Sequence, residues 1–298
     1  MYDYTGIIRD VVQPGVIDDV FVAPLEELYS LGTVDRTPIG GDKIQKDVKS
    51  SRTSAAREFD RSDVNPTGGS NAFIRPYWTK RYWEVPVEIH ELDLQEAEGR
   101  GEEGLIKLLT DGVSDALSDL KGVIFTYCMT QMKADLLNSG TYSDAALTRT
   151  TINTAYNDID NATITLDDMN DAHFGVRYNK KKASGYQWLI EMTTFETVYE
   201  LLAALISISA APTGAPAAGG KPPIVSYKQA PLYEMDNMTI GDIYYFPKNA
   251  LVFNEHMPMT LRQVDPGKFA LKWIYRIGIN VHFEHVLQCA LLTNKDAL

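Results

Sequence analysis

One stretch constrains the fold more than any other. Residues 40–63 are polar and carry few large apolar side chains, among them Ile44, Val48 and Phe59. Ser62-Asp-Val-Asn-Pro-Thr-Gly-Gly-Ser-Asn71 follows, a dense cluster of turn formers. Phe73 to Ile89 is then rich in aromatic and β-branched residues, and Trp83 to Ile89 alternates with period two. The pattern predicts an extended β-hairpin with its tip near 62–71. Legs of roughly 15–20 residues at ~3.3 Å per residue give a reach of ~50–60 Å. A two-stranded ribbon is marginal alone in water. This one needs a neighbour, either its own body or another subunit.

Charge favours another subunit. Between Arg36 and Arg81 ten basic residues stand against five acidic ones, in a chain whose net charge is −12. From Tyr82 to Asp119, eleven acidic residues are opposed only by Arg100 and Lys107. A basic arm followed by an acidic body suits head-to-tail docking, the arm of one copy lying on the body of the next. The acidic balance also argues against nucleic acid as a tightly held ligand, since phosphate binding needs clustered Lys and Arg. It is compatible with enclosing nucleic acid without gripping it.

The remaining chain reads as an α+β protein. Residues 1–34 mix short apolar runs with Asp, Pro and Gly and show no long period, as expected of an arm lying against something else. Leu105, Leu109, Val113, Leu117, Leu120, Ile124 and Tyr127 recur at helical steps and predict a helix over about 104–133. Glu102 and Glu103 suit its positive end and Lys133 the other. Thr165-Leu-Asp-Asp168 starts a short helix. Gly185 to Met192 is a strand candidate, and Thr193-Thr-Phe-Glu196 reads as a capping box for a helix to about Ser207. Pro212 to Pro223 is a Pro/Gly-rich loop. Strands follow at 240–247 and 251–254, and Phe269 to His285 alternates as one long strand.

Specific catalytic signatures are missing from the sequence. Gly219-Gly-Lys221 fails as a phosphate loop, with Ala215 at the first glycine position and Pro222 where Ser or Thr should stand. His282 and His285 fall on opposite faces of a strand and read as surface or interface residues. His90, His173 and His256 are isolated. Glu84 and Glu88 lie among nine other acids and read as a solvated or inter-subunit face. The four tryptophans read as core or interface packing. No cofactor and no metal is expected. Cys128 and Cys289 sit in apolar stretches and read as reduced core residues of a cytosolic protein. No signal peptide is expected from the first residues. The longest apolar stretch, Val198 to Ala211, falls short of the ~20 residues of a membrane helix and carries Glu200.

The order of these features resembles the tailed-bacteriophage major capsid protein family, the Hong Kong 97-type fold. The order runs arm, basic hairpin, acidic strand, long helix, α+β region with a Gly/Pro loop, and closing strand. Local stretches that resemble it are Thr165–Met169, Tyr186–Met192 before a capped helix, Ile240–Ala250, and the run from Pro258 to Phe283. The resemblance implies an N-terminal arm (1–34) and an extended loop (35–90). It further implies a peripheral domain (91–150 and 265–298) with a spine helix, and an axial domain (151–264). It implies hexamers and pentamers closing an icosahedral head around double-stranded DNA, without sequence-specific binding and without membrane. Such a virion capsid would be assembled in the host cytoplasm. Portal and scaffolding proteins would be partners, the scaffold a separate protein because the arm begins at once after Met1, and decoration proteins are possible additions. Arg57, Arg61, Asn65, Gly68, Gly69, Arg75 and Arg81 would meet Glu84, Glu88, Glu98 and Glu102 of a neighbour. Three alternatives stand beside this: an encapsulin-like bacterial compartment, an acidic hydrolase working through Glu84 or Glu88, and a ring-forming tail-tube protein.

Overall fold

The computed structural model describes residues 4–293, apart from 38–39, 46–47, 52–71, 75–76, 138–155, 160–162, 179–184, 206–225, 265–269 and 285–287. The arm is helical. Helices α1 (Tyr4–Ile7), α2 (Gln13–Ile17) and α3 (Ala23–Ser30) are joined by π-helical stretches at Ile8–Val12 and Asp18–Val22. The wider π turns explain why the sequence lacks a 3.6-residue period here. The buried Ile8, Val12, Phe21, Leu25 and Tyr29 recur at steps nearer four. They share the main core with the long helix of the same chain.

After β1 (Thr33–Asp35) the hairpin begins. Its incoming leg carries β2 (Lys43–Gln45) and β3 (Val48–Ser51), its outgoing leg β4 (Ala72–Ile74) and β5 (Tyr77–Thr79). The antiparallel β2–β5 and β3–β4 ladders keep one register, from Lys43 opposite Thr79 to Lys49 opposite Phe73, so they belong to one hairpin. Its expected tip, residues 62–71, lies outside the described residues.

The sequence pattern carries the outgoing leg to residue 90, but the structure ends it at Thr79. β6 (Tyr82–His90) joins the body, paired antiparallel from Gly278 to Ala270. Alternation explains this. Val87 and Ile89 are buried, and an added Cβ at Gly112 would lie 3.8 and 3.9 Å from their side chains. The apolar face of β6 therefore packs on helix, where a free ribbon has nothing to pack on.

Helix α4 (Glu91–Gly99) turns at Gly101, whose φ of +86° favours glycine, into α5 (Glu102–Leu137). At 36 residues α5 is about 54 Å long, somewhat longer at both ends than its apolar period predicts. Leu105, Leu109, Val113, Leu117, Leu120, Ile124, Cys128, Met132 and Leu136 form its buried stripe.

The second half adds β7 (Tyr156–Ile159), α6 (Leu166–Tyr178), β8 (Tyr186–Glu191), α7 (Met192–Leu205), β9 (Ser226–Tyr227), β10 (Ala230–Met235), β11 (Ile243–Pro247), β12 (Leu251–Val264), β13 (Ala270–Phe283) and β14 (Ala290–Thr293). Thr165 and Asp168 cap α6 reciprocally: Asp168 Oδ2 accepts the Thr165 N–H at 2.8 Å, and Thr165 Oγ1 accepts the Asp168 N–H at 3.3 Å. The start of α7 differs from the expected Thr193–Glu196 box. Glu191 takes the N–H groups of Thr193 and Thr194, each at 2.9 Å. Burial opposes its charge, yet these bonds outweigh it and hold the Glu191 carboxyl below its usual pKa.

Two sheets result, ordered β1-β12-β13-β6 and β7-β14-β11-β8-β10-β9. Strand membership cuts across the boundaries expected at residues 264 and 265. Leu251–Val264 lies in the first sheet beside β13, and Ala290–Thr293 lies in the second beside β11. The second sheet is covered on both faces. Leu189, Tyr244, Phe246 and Leu291 enter the core shared with α5, while Trp188, Ile190, Ile243, Tyr245 and Leu292 enter a second core with α6 and α7. Period-two alternation thus divides two cores, and near-continuous apolar strands follow.

Candidate inter-subunit surface

The hairpin root is where arm, body and hairpin meet. On the incoming side, β1 pairs parallel with β12 at Thr33–Asp35. Arg36 Nε then donates to Glu255 Oε2 at 3.1 Å. The hydroxyl of Tyr29 in α3 donates to the same oxygen at 3.4 Å. Burial, with Glu255 beside it, pushes the Tyr29 pKa far above its ordinary value. Glu255 thereby ties the helical arm and the hairpin to one strand.

On the outgoing side, Asn280 of β13 is buried between the root and the body. Its Oδ1 accepts the Arg81 N–H at 2.8 Å, and its Nδ2 donates to the Thr79 carbonyl at 2.8 Å and the Tyr127 hydroxyl at 3.2 Å. Trp78 packs, with its ring tilted, at 4.1 Å between centroids from the fully buried His282, whose Nδ1 lies 2.9 Å from Asn254 Nδ2. Trp78 Nε1 also donates to Asp135 Oδ1 at 3.4 Å, and Asp135 Oδ2 accepts the Phe283 N–H at 3.0 Å. His282 is therefore a core residue, where the sequence pattern places it at a surface or interface. Further along, Tyr82 meets His256 edge-on at 5.0 Å. Burial lowers the His256 pKa, and the charge of Lys80 adds to this.

Beyond the root, the outer face of β6 and β13 is a charge ladder. Glu84 faces Arg276 at 2.8 Å and Glu88 faces Lys272 at 3.3 Å, in register across the strands. All four side chains are about a third or more exposed, so each pair adds little stability and remains open to a partner. Four residues along a strand separate the two carboxylates by about 13 Å, wider than the spacing of paired catalytic acids. Glu98, half-buried, and Glu102, exposed, lie on either side of the α4–α5 turn. Arg81 is exposed at the root, and its guanidinium bonds the Tyr127 hydroxyl, whose pKa burial raises. Arg57, Arg61, Asn65, Gly68, Gly69 and Arg75 lie outside the described residues.

A second polar knot joins α5 to the second sheet. Asp242 is fully buried, with Lys133 Nζ at 2.8 Å, Thr293 Oγ1 at 2.5 Å and the Tyr244 hydroxyl at 3.3 Å. It fastens the C-terminal end of α5 to β11 and β14. Cys128 and Cys289 are free and buried, and burial pushes the Cys128 thiol up to about 12. Among the described residues no group of three or more His, Cys, Asp or Glu could hold a metal ion, and no helix is long and apolar enough to cross a membrane.

No family model matches the sequence, and no curated protein matches it. Solved structures do match, over nearly the whole chain. A subunit of the cyanophage A-1(L) capsid asymmetric unit superposes with a TM-score of 0.65 at 10% identity, covering 91% of this chain and 92% of that one. The capsid of a native GTA particle gives 0.62 at 9% identity, covering 90% of each. The SrpI encapsulin complex from Synechococcus elongatus gives 0.59 at 12% identity, covering 94% of this chain and 90% of that one. Similarity this broad at such low identity is a statement about architecture. The chain has the Hong Kong 97-type capsid fold.

Proposed function

We propose that the protein is the major capsid protein of a tailed phage, assembling into hexamers and pentamers of an icosahedral head around double-stranded DNA. The carrying observation is the end-to-end match to a phage capsid subunit, without a large unmatched region on either side. The basic hairpin and the acidic face of β6, α4 and α5 supply complementary docking surfaces. Portal and scaffolding proteins belong to this reading, as do assembly in the host cytoplasm and contact with packaged DNA that reads no sequence. Residues 91–150 and 265–298 are assigned to the peripheral domain and 151–264 to the axial domain, with Leu251–Val264 and Ala290–Thr293 exchanged between their sheets. The likeness to an encapsulin complex supports a second reading, a bacterial compartment.

Charge reversal tests the docking. Arg57→Glu with Arg61→Glu is expected to leave a folded subunit that no longer forms particles in sedimentation. Reversing Glu84 and Glu88 in the same chain is expected to restore part of the assembly. Wild-type particle yield from the arginine variant would contradict it. Packaged nucleic acid in particles from the native source supports the phage reading, and packaged protein supports the compartment.

A further inference from the structure

We infer that Asn280 is the positioning residue that fixes the direction in which the hairpin leaves the body, and thereby the curvature of the assembly. The curvature part rests on the shell reading above. A hairpin that reaches a neighbour acts as a lever, so a small change at its root becomes a large displacement at its far end. The root is therefore where subunit geometry is set.

Asn280 is built for this task. A carbonyl only accepts and an N–H only donates, so its contacts with Thr79 and Arg81 fix the orientation of its amide. Those two bonds, both 2.8 Å, grip the backbone on either side of Lys80. The side chain thus acts as a strand neighbour on the body side of the outgoing leg, between the end of β5 at Thr79 and the start of β6 at Tyr82, while the Lys80 N–H donates to the Asp42 carbonyl of the incoming leg at 3.0 Å. The grip has a stop behind it, because Asn280 also donates to Tyr127 of α5. Trp78 on His282 and Tyr82 against His256 flank it, so a short segment is held at three points by β12 and β13. The incoming leg is held on the same strand pair through β1 and Glu255.

Hydrogen exchange and particle imaging test this together. Asn280→Ala is expected to raise amide exchange at Arg81 about tenfold while the amides of α5 keep their protection. Its particles are expected to lose uniform diameter and to include open forms. Asn280→Asp keeps an acceptor for the Arg81 N–H but loses the donor to Thr79, and is expected to give an intermediate defect. Tyr127→Phe leaves both backbone bonds but removes the stop, and is expected to raise exchange at Arg81 less than Asn280→Ala does. Particles of wild-type diameter from folded Asn280→Ala overturn the inference. So does a general loss of α5 protection, which would make Asn280 a core residue and nothing more. If Asn280→Ala does not fold, wild-type particles from Asn280→Asp overturn it instead. Wild-type protein that forms no particles refutes the shell reading and the curvature claim, while exchange at Arg81 still decides whether Asn280 anchors the leg.

Discussion

Asp242 is a carboxylate without solvent contact, and Lys133 is its cation. Buried pairs of this kind contribute little over an apolar substitute, but removing one partner strands the other. Lys133→Met is expected to cost about 3–5 kcal/mol, read as a lower midpoint in chemical denaturation. A second residue sets a pH response. Burial keeps His256 less basic in the folded chain than its ordinary value of 6.5. The unfolded chain then binds more protons in mild acid, so this contribution is complete above the ordinary value and is lost as pH falls toward the lowered one. The unfolding midpoint is expected to drop between about pH 7.5 and about pH 5.5, and His256→Gln is expected to flatten that part of the drop. An equal drop in the variant would remove His256 from the account. Neither Asn280 nor His282 stands out in the sequence. Both fall on the polar-alternate face of a long strand, which reads as solvent-facing. The cover over that face comes from residues 78–82, some 200 positions earlier in the chain, and no local pattern reports it.

The elements divide by how local their causes are. The long helix α5 is legible because one apolar stripe repeats for about nine turns, and β13 because alternation persists over fourteen residues. The helical arm is illegible because two π stretches stretch its period. The hairpin is legible as a hairpin, but its length is not: β5 and β6 are one run of strand formers, and only pairing with β13 separates them. The start of α7 is misread for a similar reason, since a carboxylate at the end of β8 does the capping that Thr193 and Glu196 are spaced to do. The contacts with the body described for the hairpin lie at its root, at Trp78 and Thr79, and Gly68 and Gly69 stand apart from that root in the sequence. Deleting Gly68 and Gly69 is therefore expected to leave the thermal unfolding of the subunit within a degree or two and to abolish regular assembly. Normal shells from that deletion would remove the hairpin from the assembly contact.

At the scale of the whole molecule, one feature lacks an internal explanation. A net charge of −12 coexists with a basic hairpin whose described strands pair in their own ladders, outside the two larger sheets. Within a single subunit an exposed pair of such charges is typically worth less than about 1 kcal/mol. Under the proposed function they steer and register docking between subunits. The fold is shared with a cyanophage capsid subunit at 10% identity and with an encapsulin at 12%. Only the order of elements made that geometry legible in the chain; the individual contacts of the root and of the Asp242 knot were not.

The most direct measurement is electron microscopy of the purified protein, expressed alone and with its neighbouring genes. The account predicts closed icosahedral particles or hexameric rings, with hairpin density from each subunit lying over the acidic face of the next. A soluble monomer under every condition tried, at low salt and at high concentration, would contradict it.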